Sequence, residues 1–174
     1  QQHDLRNQHG KISNQGRDEM TDTWPHGSTL RWHSNPWPAL RHSGDTVDAH
    51  QNRMMRLRRM LWPGAYPELD EAILTHDLAE VFTRDWSRPD KDAVPGLQAA
   101  LDLADDAYLA WIGYVGLSLD TRIRLKFLDQ LDAYRWAVLH EPRCAPEWER
   151  ARRGLWRDME AMGMAGMEGV VFGS

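Results

Sequence analysis

Cysteine is nearly missing: Cys144 is the only one in 174 residues. A single thiol forms neither an intrachain disulfide nor a multi-thiolate zinc site, so a reducing, cytoplasmic setting is expected. Long apolar runs are missing too. None approaches the roughly eighteen residues of a membrane helix, and the polar N-terminus has no secretory apolar stretch. A surplus of positive charge is also lacking. The formal net charge is −5, so a broad footprint for a nucleic-acid backbone is not expected and any phosphate-binding patch must be local. No strand-like alternation and no internal repeat can be found. What remains is 41% hydrophobic and 27% charged, the composition of a soluble globular domain long enough for a real core.

Residues 1–20 form a polar extension, rich in Gln, Asn, His and Arg. Such a stretch cannot offset its own ordering entropy and is expected to lie on the body or on a neighbouring subunit. Residues 21–174 read as one domain. Thr29–Pro36 looks like a short helix broken at Pro36 and followed by an irregular loop. Its Arg31–Trp32 pair suits a pocket rim with a phosphate fork and a stacking plate, or a surface Arg beside a packing Trp. Thr46–Leu61 reads as a helix capped by Asp45 or Thr46. Val47, His50, Met54, Leu57 and Leu61 form its buried ladder, and Arg53, Arg56, Arg58 and Arg59 a solvated face. Trp62-Pro63-Gly64 ends it, and Pro67 opens the next helix.

That next helix carries the phrase on which the reading turns, Leu74-Thr75-His76-Asp77-Leu78-Ala79-Glu80. Leu69, Ala72, Ile73, His76 and Glu80 fall on one helical face, apolar until it meets the histidine and the glutamate. A lone histidine there is usually a satisfied core residue. Three ionisable residues in five positions ask for a partner or a metal. A charged loop, Thr83–Lys91, follows. Helices are then expected over Gly96–Tyr114, with Leu97, Ala100, Leu101, Ala104, Ala107, Tyr108 and Trp111 on its apolar side, and over Asp120–Leu139. The latter has Ile123, Phe127, Leu128, Leu131, Trp136 and Leu139 as apolar residues, with Asp129 and Asp132 near its middle. Pro142 stops it, and Pro146–Met162 forms the last helix before a Met/Gly-rich tail. The fold class is all-α.

His50, His76, Asp77 and a later aspartate are potential ligands on three helices. Imidazole nitrogens with carboxylate oxygens suit Zn, Co, Mn, Ni or Fe(II). Their order, with the phrases Arg31-Trp32, Thr46-Val47-Asp48-Ala49-His50, His76-Asp77-Leu78-Ala79-Glu80-Val81-Phe82-Thr83, then Asp85, Pro89, Lys91 and Asp129-Gln130-Leu131-Asp132-Ala133-Tyr134, resembles the HD-domain metal-dependent phosphohydrolases. Within them the small 5′-deoxynucleotidases and phage dATP triphosphohydrolases are the nearer likeness, over residues 29–140.

The resemblance implies a helical bundle of about five to seven helices. It implies metal ligands His50, His76, Asp77 and Asp129, with Asp132 as the alternative to Asp129. The bound ion would be one divalent Zn, Co or Mn, with a second ion such as Mg entering with the phosphates. Glu80 would carry protons, helped by Asp85. Arg31 and Lys91 would hold phosphate oxygens and Trp32 the sugar or base. Arg84, Arg88 and Pro89 complete the implied substrate contacts. Cations at 84 and 88, where monophosphatases have small residues, favour a dNTP giving deoxynucleoside and triphosphate. A dNMP is the alternative, and a non-catalytic HD-like module a further one. No polymer or membrane partner is implied; a homo-oligomer in the cytoplasm, or host cytoplasm for a phage protein, is.

Overall fold

In the computed structural model, residues 29–113 and 116–173 are described, apart from the side chains of Val81, Pro89 and Gly173. The expected extension, residues 1–20, lies outside them. The fold is all-α, about 70% helical, with eight helices and no strand among the described residues. They are α1 Pro38–Arg41, α2 Val47–Leu61, α3 Pro67–Thr75, α4 Glu80–Thr83, α5 Arg88–Ala93, α6 Leu97–Trp111, α7 Leu119–His140 and α8 Ala145–Ala161. A 3-10 turn at Pro142–Cys144 links the last two, and a π-turn spans Gly169–Gly173.

Helices α2, α3, α7 and α8 enclose the main core. Met54, Leu57 and Leu61 meet Leu69 and Ile73, Phe127, Leu128 and Leu131, and Leu155 and Met159. Met164 and Val171 close it from the tail, so the C-terminal methionines Met159 and Met164 serve the core. A smaller cluster of Trp32, Leu40, Ala137 and Cys144 holds the segment before α2 against α7.

Local chemistry explains most boundaries. Thr46 caps α2, its hydroxyl accepting from the Ala49 N–H at 3.2 Å. Ser118 caps α7, and proline opens α1 and α3. Four expectations are corrected. Thr29–Pro36 is not helical: Leu30 forms an isolated antiparallel bridge with Thr46, and Trp32 turns the chain at φ 65°. The His76–Asp77 phrase is not inside a helix, because α3 ends at Thr75 and His76–Ala79 is a turn. There the bonding tightens to i→i+3, with Leu78 N–H on Thr75 O (3.2 Å) and Glu80 N–H on Asp77 O (3.0 Å). The charged loop 83–91 becomes helical from Arg88, since Ser87 caps it and Pro89 suits its first turn. Nor are all four arginines of α2 a solvated face. Arg58 is buried because it shares a face with Met54 and Leu61, and it pairs with Asp70.

Helix α6 is the outlier. None of its residues is buried, and Leu103 is 70% and Trp111 58% exposed. On α7, Ile123 (48%) and Leu139 (74%) also lie in the open rather than in the core. Among the described residues no helix is long and apolar enough to cross a membrane.

Candidate metal centre and nucleotide cavity

Three donors converge between α2 and the turn after α3. The ligand atoms of His50, His76 and Asp77 lie within 4.8 Å of one another. Asp77 Oδ1 stands 3.2 Å from His76 Nε2, and Asp77 Oδ2 stands 3.4 Å from His50 Nε2. The tightened turn is what makes this possible. It aims two consecutive side chains, His76 and Asp77, at one point. Asp129, on α7, meets the group at His50, its Oδ1 3.3 Å from Nε2. It is not part of the mutually close trio.

The two imidazoles are set up alike. His50 Nδ1 faces Asp132 Oδ2 at 2.7 Å, and His76 Nδ1 faces the Ile73 carbonyl at 3.0 Å. In the neutral imidazole, an Nδ1–H donated outward leaves an Nε2 lone pair inward. Both Nε2 atoms are buried without a hydrogen-bond partner. Unpartnered buried nitrogens are costly unless something else binds them. Donors about 2.0–2.1 Å from a tetrahedral ion stand roughly 3.3 Å apart, close to the spacing of the Asp77 oxygens from the two imidazoles. The residues therefore fit a divalent ion held by His50, His76 and Asp77, with Asp129 beside them. Asp132, expected as the alternative ligand, meets the other ring nitrogen of His50, the position of an orienting carboxylate.

Asp132 is itself clamped. Arg53 Nε donates to Asp132 Oδ1 (2.8 Å), while its terminal nitrogens reach Asp45 Oδ1 (2.8 Å), Asp45 Oδ2 (3.0 Å) and Asp132 Oδ2 (2.9 Å). Asp45 also accepts from Trp32 Nε1 (3.0 Å) and Arg31 (3.4 Å). One arginine thus ties the histidine's orienting carboxylate to the Arg31–Trp32 turn. This contradicts its expected place on a solvated face. Arg53 lies one helical turn after His50, a spacing that could have revealed it; Asp45 precedes a cap, which hides its role.

Charge around the cluster is strongly biased. Burial and Arg31 oppose a charge on His50, yet the neighbouring carboxylates of Asp129, Asp132 (bonded to Nδ1) and Asp77 push it up to about 9. Burial, then the charges of Asp77 and Asp85, push Glu80 up to about 10 against the pull of Arg31. Its Oε2 is buried and unpartnered. Burial also resists ionisation of Asp129 and Asp132, but hydrogen bonds with His50, and with Arg53 for Asp132, hold both below the usual carboxylate range. Partial shielding from water and Asp77 raise Asp105 of α6 to about 6, with Lys91 opposing. The sequence did not single out Asp105.

A cavity of about 650 Å³ opens beside Asp129 and Arg31. Trp32, Trp37, Trp86 and Trp148 supply aromatic wall, and Asp85, Arg88 and Lys91 polar wall. Arg31 is buried, with Nε free of any partner among the described residues and Nη2 3.9 Å from Asp129. Trp32 donates its backbone N–H to Asp85 Oδ2 at 2.8 Å, which pins the turn to the loop after α4. Ser34 Oγ accepts from Ser87 N–H at 2.8 Å and does the same for α5. Arg88 is 76% exposed and paired with Asp92 at 2.9 Å. Arg84, exposed and at φ 66°, is not among the residues lining this cavity. The Pro89 side chain lies outside the described residues. Compared with known proteins, the chain matches no family profile, no curated protein and no solved structure.

Proposed function

We propose that the chain is a metal-dependent hydrolase of 2′-deoxynucleotides, cutting at the α-phosphorus, with a dNTP such as dATP as the favoured substrate. The products would then be deoxynucleoside and triphosphate. The observation that carries this is the pair of inward, unpartnered Nε2 atoms of His50 and His76 around Asp77, beside a tryptophan-walled cavity that also presents Arg31 and Lys91. The likeness of these phrases to HD-domain phosphohydrolases supports the same reading.

His50, His76 and Asp77, with Asp129, would hold one divalent Zn, Co or Mn. Such an ion supplies Lewis acidity toward a phosphoryl oxygen and lowers the pKa of a water. The remaining work belongs to the chain. Arg31, with a free Nε, and Lys91 neutralise the phosphate oxygens as charge develops. Asp85 keeps Oδ1 to take the proton of the attacking water while Oδ2 stays on Trp32 N–H. As the new P–O bond forms, the bond to the 5′-oxygen breaks, and Glu80 gives that oxygen its proton. Trp32 and Trp148, with ring centroids 6.0 Å apart, would offer apolar surface to the sugar and base.

The three cations on the cavity wall, Arg31, Lys91 and Arg88, favour a polyphosphate tail. One observation favours a dNMP instead. Arg84 does not line the cavity and Arg88 is paired with Asp92, so the tail would meet fewer free charges than the sequence implied. A product assay separates the two. Protein loaded with Co²⁺, Mn²⁺ or Zn²⁺ is given each dNMP, dNTP and ribonucleotide, and products are resolved by chromatography. Deoxynucleoside and triphosphate from a dNTP, with no intermediate mono- or diphosphate, is the expected result. Turnover of dNMPs alone makes it a 5′-deoxynucleotidase. No turnover despite one bound ion per chain overturns the enzyme reading in favour of a binding module.

A further inference from the structure

A second cavity, of about 600 Å³, runs between α2 and α7 and shares no lining residue with the tryptophan-walled one. Its apolar surface comes from Leu57 and Met60 on α2, Leu139 on α7 and Phe172 of the tail. Met60 is 55% and Leu139 74% exposed, so these two side chains serve no core. A largely apolar cleft of a few hundred Å³ with few convergent polar groups has the form of a small-molecule site.

Its charge is equally specific. Arg53 lines the cleft but is spent, because Asp45 and Asp132 accept from all three of its nitrogens. Arg56 and Arg135 are not. Arg135 gives one bond, from NH1 to the Val170 carbonyl at 2.8 Å, and neither has a carboxylate partner among the described residues. Two uncompensated guanidiniums over an apolar floor, on a chain of net charge −5, are complementary to an anion with a hydrocarbon or aromatic body.

We propose that the α2/α7 cleft binds a small organic acid, its apolar body along Leu57, Met60 and Leu139 and its acid group between Arg56 and Arg135. The cleft wall includes Asp132, which faces His50, and its partner Arg53. The residues proposed to hold the acid are others, so the proposal does not rest on the metal centre's assignment.

The test is a fluorescence titration of the full chain with anilinonaphthalene sulfonate, followed by displacement with octanoate. One saturable site, released by octanoate and not by sodium sulfate, is expected. Arg56→Glu and Arg135→Glu should each weaken it by about ten-fold, the loss of one charged hydrogen-bonding partner. Far-ultraviolet circular dichroism and Tm serve as the folding control. Arg56 is exposed, so that variant tests the site even if Arg135→Glu misfolds. Lys91→Glu and Trp37→Ala, in the other cavity, should leave the titration unchanged. Non-saturable binding, binding indifferent to Arg56→Glu, or binding lost with Lys91→Glu instead would overturn the proposal. So would a dimer, seen by sedimentation, that Leu139→Asp dissociates, since a second copy would then fill the cleft.

Discussion

His50 has two ring nitrogens with different duties. One is held by Asp132 at 2.7 Å, and the other faces Asp77 and Asp129. Loss of the orienting carboxylate and loss of a ligand should therefore look different. Asp132→Asn is expected to weaken Zn²⁺ or Co²⁺ affinity about 10- to 100-fold, whereas Asp77→Asn should abolish both metal retention and turnover. Equal affinities of the two variants, by titration with a chromophoric chelator, would remove Asp132 from its orienting role. Glu80→Gln should keep the ion but lose about 10²- to 10⁴-fold in rate. A rate near wild type would exclude Glu80 as the proton carrier. The same residues set a pH dependence in chelator-treated protein. His50 is raised from 6.5 to about 9, so its contribution is full below 6.5 and is lost as pH rises through 9. Glu80 is raised from 4.5 to about 10, and its ionisation costs stability over that window. Both act in the same direction. Tm without metal should fall between pH 6 and pH 9, and Glu80→Gln should flatten the fall. A Tm that rises with pH would contradict these environments.

Among the elements, α2 and α6 are opposites. α2 is capped by Thr46 and buries Val47, His50, Met54, Leu57 and Leu61, while α6 buries nothing. Helical hydrogen bonds without packing are marginal. Amide hydrogens of α6 should exchange faster, by orders of magnitude, than those of α2 and α7. Comparable protection in peptide-resolved exchange would mean that α6 is covered. Thr46→Ala should cost about 1 kcal/mol in urea unfolding. Boundaries such as Thr46, Pro67 and Pro142 were legible because caps and prolines act within a few residues. The break after Thr75 was not, since Thr75-His76-Asp77 carries no glycine or proline and continues the helical pattern. His50, His76, Asp77 and Asp129 could be found as residue types, and their order along the chain pointed to a site. That Asp132 turns outward to Arg53 could not. It depends on Asp45, 87 positions earlier, which only the packing of α2 on α7 brings near. The α6 pattern predicted a helix correctly and left its burial open, because amphipathicity states which face is apolar and not what lies against it.

At the scale of the whole molecule, ion binding at the cluster would be linked to folding. The cluster gathers its donors from α2, the turn after α3 and α7, so an ion there binds only the folded chain. Its free concentration then adds stability as RT ln(1 + [L]/Kd), about 2.7 kcal/mol at a hundred-fold excess over Kd. Removing metal with a chelator should lower Tm, and micromolar Zn²⁺ should restore it. A Tm indifferent to both would argue against an ion spanning these elements.

The small cluster under the Arg31–Trp32 turn has a practical side. Cys144 lies there with no exposed surface, and burial together with Glu147 and Glu141 pushes its thiol up. As the only thiol in the chain, it is a natural tamper seal. A thiol reagent can mark it only when the joint between α7 and α8 has opened beneath the wall of the tryptophan-lined cavity. Labelling kinetics with and without a bound nucleotide would therefore time the loosening of that wall directly, with no engineered probe.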